Sequence, residues 1–139
     1  MLEMLGAQAT HAVGIDLSSP ALRLARARLH GRALAHCEFH RGDMYALPFA
    51  GETCDTVTID RVLAAAERPV AVLTEVARVL RRSGRLLVVE RFDDIEACTG
   101  LNPLRGIRQW VEESGLRLTR LRPCDLASGH YLLALAQRP

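Results

Sequence analysis

The sequence predicts an α/β domain: a mostly parallel sheet with helices on both faces, finished by an antiparallel hairpin strand. Three observations carry this. Two apolar runs, Ala12–Ile15 and Asp55–Asp60, end in an acid. An almost continuous apolar run, Leu86–Val89, has the character of a strand covered on both faces. Between these runs lie segments with the 3.6-residue period of helices that pack on a sheet.

Ala12–Ile15 reads as a buried strand with Asp16 at its carboxyl end. A helix follows from Pro20 to about Leu29. Ser19 is placed to accept from the first free N–H groups, and Pro20 fits the first helical position, where its missing N–H costs nothing. In that helix Leu22, Ala25 and Leu29 share one face, with Arg23, Arg26 and Arg28 mostly away from it. His36–His40 is a short polar strand near an edge, broken by Gly42-Asp43-Met44, and Leu47–Gly51 is a loop. Asp55–Asp60 is β-branched and apolar before its acid. Pro69–Leu80 is an amphipathic helix with Val72, Leu73, Val76, Val79 and Leu80 on one face. Ser83-Gly84 turns the chain into the strand Arg85–Glu90. Asp93–Pro103 reads as loop or broken helix, and Ile107–Ser114 as a short helix carrying Trp110 and Val111 and ended by Gly115. Leu116–Leu121 and Tyr131–Ala136 form the hairpin, separated by Pro123 and the Ser128-Gly129 turn. Leu2 to about Gly6 is a helical scrap, too short to be stable alone.

The 139 residues are expected to form a single domain over 1–139, of ordinary globular composition: 49% apolar and 24% charged. A net charge of +2 and dispersed arginines give no basic stripe for nucleic acid. No run reaches the ~18 apolar residues of a membrane span. Met1-Leu2-Glu3-Met4 lacks the basic and apolar regions of a secretory signal. The four cysteines, Cys37, Cys54, Cys98 and Cys124, form no CxxC pair and suit a reduced cytoplasmic setting. His36 and His40 on one strand are roughly 13 Å apart, too far to share a metal, so no metal site is expected. His11, His30 and His130 suggest only surface or loop positions.

Asp16 has two readings: it caps the next helix, or it accepts ribose hydroxyls at the carboxyl edge of an open sheet, where ligands of such folds bind. Three segments bear on the choice: Val13-Gly14-Ile15-Asp16-Leu17-Ser18, Gly42-Asp43-Met44-Tyr45-Ala46-Leu47-Pro48-Phe49, and Glu75 through Leu86. In this order and spacing they resemble class I S-adenosylmethionine-dependent methyltransferases of the small-molecule branch. The likeness is strongest to methyltransferase domains fused to winged-helix repressors of the arsenical-resistance type. It covers Met1 to about Arg91, and the last third only by the order of its elements.

The resemblance implies a Rossmann-like, doubly wound fold and S-adenosyl-L-methionine as cofactor. By position, Asp16 matches the acid that accepts the two ribose hydroxyls, and Leu17 the residue lying against the adenosine. Asp43 matches the acid that receives the adenine amino group, with Met44 packing on the ring. Asp60 and Arg61 match positions facing the methionine end and the substrate. No catalytic side chain is implied, because the sulfonium is already a strong electrophile and the protein has mainly to align donor and acceptor. Other readings stay open: Asp43 as a turn residue, Met44 as core, and Asp60 with Arg61 as a surface pair. A nicotinamide enzyme would also suit Asp16, but the Gly42–Phe49 loop and the closing hairpin favour the methyltransferase.

The family's sheet begins with a strand and a Gly-rich cofactor loop, about 20 residues before the acid, whereas only 15 residues precede Asp16. The resemblance therefore implies a domain lacking its usual first strand, cut just after the cofactor loop, with Met1–Gly6 as the rest of the first helix. That strand is central in the family. Without it, the Asp16 and Asp60 strands must pair directly, leave a gap, or borrow a strand, which makes a homo-oligomer through an unpaired sheet edge an expectation. Arg82-Ser83, where the family usually has Pro-Gly, and Asp93–Leu104, where substrate specificity would lie, depart from the pattern. Two functions are expected: methyl transfer to a small-molecule acceptor, or a degenerate scaffold serving as a binding module.

Overall fold

The computed structural model describes residues 8–30 and 36–139; the expected helical scrap at Leu2–Gly6 lies outside them. The element order is β1 (Ala12–Asp16), α1 (Ser19–Leu29), β2 (Cys37–Arg41), β3 (Cys54–Asp60), a 3-10 turn (Leu63–Ala65), α2 (Pro69–Val79), β4 (Leu80–Arg91), α3 (Phe92–Thr99), α4 (Pro103–Glu113), β5 (Arg117–Leu126) and β6 (Gly129–Gln137). The chain divides into two compact units, Met1–Pro48 and Phe49–Pro139.

In the first unit β1 and β2 pair in parallel, from Ala12 opposite Cys37 to Asp16 opposite Arg41. Helix α1 makes the crossover. Its cap is Ser18, whose Oγ accepts from the Ala21 N–H at 3.2 Å. The expected Ser19 is already helical. The reason is Asp16, whose Oδ1 accepts the Ser18 N–H at 2.8 Å and turns the chain one residue earlier. Leu22 is the buried residue of α1, and Arg26 donates to the Phe39 carbonyl at 2.7 Å, tying α1 to β2. Gly42 ends β2 where a Cβ would stand 2.9 Å from Ile15 Cγ2, so a side chain has no room there.

In the second unit the strand order is β3-β4-β6-β5. β3 and β4 are parallel; β4–β6 and β6–β5 are antiparallel. The expected hairpin is therefore present, and it seats β6 between β4 and β5. Apolar residues two apart on β4 and β6 (Leu86, Val88; Leu132, Ala134) are all fully buried, together with Leu73 of α2, Ile95 of α3 and Ile107 of α4. α2 contributes Val72, Leu73, Val76 and Val79 of the expected face, whereas Leu80, expected with them, is the first residue of β4 and fully buried there.

Of the two readings of Asp93–Pro103 the broken helix holds: α3 runs to Thr99 and stops at Gly100, in the left-handed conformation at φ +63°, whose N–H reaches the Glu96 carbonyl at 2.8 Å. Three local expectations need correction. Asn102 and Pro103 then start α4, four residues before the expected Ile107, with Asn102 Oδ1 accepting from the Leu104 N–H at 3.0 Å. The breakers mark a stop followed directly by a start. Ser83-Gly84 does turn the chain, but inside a longer strand: Cys54 is opposite Leu80 and Thr56 opposite Arg85, so three extra residues bulge from β4, with Ser83 at φ 61°. Pro123 does not end its strand, because β5 is an edge and Pro123 lies within it.

β1 and β3 belong to different sheets and do not pair directly. Among the described residues each has a strand neighbour on one side only. Among the described residues no helix is long and apolar enough to cross a membrane.

Candidate functional site

Parallel pairing puts the carboxyl ends of β1 and β2 side by side. The Gly42 N–H donates to the Asp16 carbonyl at 3.1 Å, so Asp43 follows directly beside the end of β1. Asp16 is exposed and commits Oδ1 to the Ser18 N–H. Leu17 next to it is 57% exposed, a large apolar side chain on the surface beside an acid. Its carbonyl accepts from Arg41 Nε at 3.2 Å, which fixes the backbone. Asp43 is also exposed and makes a tight turn: Oδ1 accepts the Tyr45 N–H at 2.8 Å and its carbonyl the Ala46 N–H at 3.1 Å. Met44 is half-buried. The first unit thus gathers four of the six expected cofactor-binding residues at one edge, with both acids serving as turn acceptors through one oxygen.

The other two lie in the second unit, where β3 ends. Asp60 and Arg61 pair with each other, Arg61 Nε donating to Asp60 Oδ1 at 3.0 Å. That bond raises the Arg61 pKa above its ordinary value, with the Asp60 charge adding to it. Arg61 sits at φ 55°, left-handed backbone that an arginine adopts at a cost of roughly 1–2 kcal/mol. Its N–H continues the ladder to the Val89 carbonyl at 2.8 Å.

Beside them stands a residue that the sequence reading passed over. Glu90 of β4 is 1% exposed. Its Oε1 accepts from two consecutive backbone donors, Val62 N–H at 2.8 Å and Leu63 N–H at 2.6 Å, while Oε2 is buried without a hydrogen-bond partner. Burial pushes its pKa up. The N–H groups of Leu63, Val62 and Ala64 oppose the shift, and the Asp60 charge adds to it. The signal was present, since Glu90 follows the apolar run Leu86–Val89 as Asp16 and Asp60 follow theirs.

At the same end of the sheet, Arg91 lies opposite Tyr131 of β6. His130, expected as a plain surface residue, bonds through Nδ1 to Asp125 and packs its ring 4.5 Å from that of Phe92. Among the described residues no three His, Cys, Asp or Glu side chains gather as a metal site.

A family model described as a methyltransferase domain matches residues 1–88. The ubiquinone/menaquinone biosynthesis C-methyltransferase UbiE of Ruegeria sp. is 38% identical over 81 residues, covering 58% of this chain and 32% of that protein. The demethylmenaquinone methyltransferase of Lactococcus lactis is 37% identical over 78 residues, 56% of this chain and 31% of that one. The chain thus spans about a third of the length of the curated relatives it matches. Among solved structures, a SAM-dependent methyltransferase from Aquifex aeolicus aligns at a TM-score of 0.81 and 16% identity, over 99% of this chain and 76% of that one. One from Methanosarcina mazei aligns at 0.79 and 17%, over 99% and 86%. At these identities the structural likeness carries the fold.

Proposed function

Since the chain belongs to the methyltransferase-domain family, we propose that it takes part in methyl transfer from S-adenosylmethionine to a small-molecule acceptor. The observation that carries the reading furthest is the end of β1. There an exposed carboxylate keeps one oxygen uncommitted beside an exposed leucine, the pairing that a ribose and its attached base require.

In this reading Asp16 accepts the ribose hydroxyls through Oδ2, Leu17 covers the adenosine, Asp43 accepts the adenine amino group and Met44 packs on the ring. Asp60 and Arg61 serve the methionine end. Their mutual bond leaves each partly neutralised, so a ligand ammonium or carboxylate enters by sharing its counterpart. Bound S-adenosylmethionine supplies a methyl carbon on a cationic sulfur, so the protein's work is to bind, orient and exclude water.

Calorimetry with S-adenosylhomocysteine tests this. A dissociation constant on the order of micromolar, about −8 kcal/mol, is the expected result. A folded chain that takes up no heat would instead support the scaffold reading. The acceptor, in keeping with the relatives' names, is a small molecule; turnover of a panel of phenols and quinols would test it.

The reading extends to assembly and setting. The one-sided strands β1 and β3 support association through a sheet edge. Light scattering should give the mass of two or more chains, and a single-chain mass across concentrations removes the idea. The four free cysteines support a cytoplasmic, reducing compartment, which fractionation of cells would check.

A further inference from the structure

We propose that Glu90 is a positioning residue: by accepting the N–H groups of Val62 and Leu63 it holds the turn after β3, and through that turn the Asp60–Arg61 pair. The functional half of this inference rests on the methyl-transfer reading, in which that pair serves the ligand.

The placement of Glu90 is costly unless it does something. On the same face of β4, Leu86 and Val88 are fully buried, and so is Leu132, its cross-strand partner on β6. An apolar residue at position 90 would continue that core without burying an orphaned carboxylate oxygen, which burial penalises heavily. What the carboxylate provides is a grip on the chain beyond β3. Three successive donors, the N–H groups of Arg61, Val62 and Leu63, all end on residues 89 and 90 of β4. Leu63, fully buried, pins the far side of the turn. Between these anchors Arg61 is held at φ 55°, a conformation that persists only where its surroundings impose it. Without Glu90 two of the three donors lose their acceptor, and only the Arg61 N–H on the Val89 carbonyl and the burial of Leu63 remain of these anchors to hold Arg61 left-handed.

The carboxylate also carries a charge that the turn registers. Asp60 and Arg61 face it from the end of β3, and Cys98 faces it from α3; from β6 its neighbour is the apolar Leu132. Glu90 holds its proton above the usual carboxylate range because of burial. When the proton leaves, two carboxylates act on Arg61 in place of one.

Amide exchange and a pH titration by NMR, on the ligand-free chain, test the proposal with wild type, Glu90→Ala and Glu90→Gln. In wild type the Val62 and Leu63 amides and Arg61 Nε are expected to shift together, with a midpoint above the ordinary carboxylate range. Glu90→Ala should lower the protection of Val62 and Leu63 by about tenfold or more, with the Val88 and Leu132 amides still protected. Glu90→Gln keeps an oxygen acceptor, so protection should return while the titration vanishes. Unchanged exchange in Glu90→Ala, or a titration that survives in Glu90→Gln, overturns the proposal. Should Glu90→Ala lose protection throughout the sheet, the Glu90→Gln titration decides. None of these readouts needs the cofactor. A wild-type titration without S-adenosylhomocysteine binding removes methyl transfer and leaves the hold on the turn; binding without the titration removes Glu90's role alone.

Discussion

Asp16→Ala is expected to weaken S-adenosylhomocysteine binding on the order of a hundredfold. Hydrogen bonds to an ionised group contribute roughly 1.5–3 kcal/mol each, so losing two ribose contacts removes about 3 kcal/mol or more. The substitution also removes the acceptor for the Ser18 N–H and loosens the entry to α1, whose Ser18 cap is itself worth about 1 kcal/mol. Asp16→Asn separates the two effects. It keeps an oxygen for the turn but lacks the charge, and its amide donor opposes a ribose hydroxyl. Calorimetry on both variants, with circular dichroism to confirm the helix, makes the comparison. Loss of affinity in both with α1 intact assigns Asp16 to the ligand. Full affinity in Asp16→Asn would make it a turn residue, and full affinity in Asp16→Ala would move the binding site elsewhere.

The second large effect is on stability. Leu86 is fully buried on β4, between β3 and β6 in the second unit's sheet, paired with Val57 and Ala136. Truncation to alanine removes apolar contacts and leaves a cavity, because strands held on both sides collapse little. The expected loss is about 2–5 kcal/mol, a large share of the roughly 5–15 kcal/mol of an ordinary domain. Leu86→Ile, close in volume, should cost less than about 1.5 kcal/mol. Urea unfolding should show the midpoint of Leu86→Ala falling with little change in slope. A shift below about 1 kcal/mol would mean that the β4 core is not closed in solution.

Glu90 adds a pH dependence of the opposite sense to an ordinary salt-bridged acid. Its folded-state pKa is raised, so the folded form holds a proton that the unfolded chain has released. Its favourable contribution is complete below the unfolded carboxylate value and is lost as pH rises through the folded one. Glu90→Gln should flatten that part of the stability profile.

How much of this was legible beforehand varies with the kind of information each feature carries. β1, β3 and the helix Pro69–Val79 stand out because strand and helix periods are written in neighbouring residues, and an acid after an apolar run marks a strand end wherever it falls. The segment 93–103 stayed open between loop and broken helix for the same reason: its Gly, Asn and Pro are local signals of a break, and two abutting helices break the chain as surely as a loop does. That Arg61 takes a left-handed backbone and that its guanidinium lies on the Asp60 carboxylate could not be read from the two neighbouring residues alone.

By itself, then, the sequence determined the α/β class, the strands that end in acids, the closing hairpin and the family. Only the tertiary structure decided that β1 pairs with β2 and β3 with β4 in separate sheets, and that Glu90 is buried with one oxygen on a turn 28 residues away. The reason is physical. Periodicity and capping depend on side chains within a turn or two of one another. Strand pairing and the burial of a charge depend on groups brought together by the whole fold, and no short stretch of chain encodes their meeting.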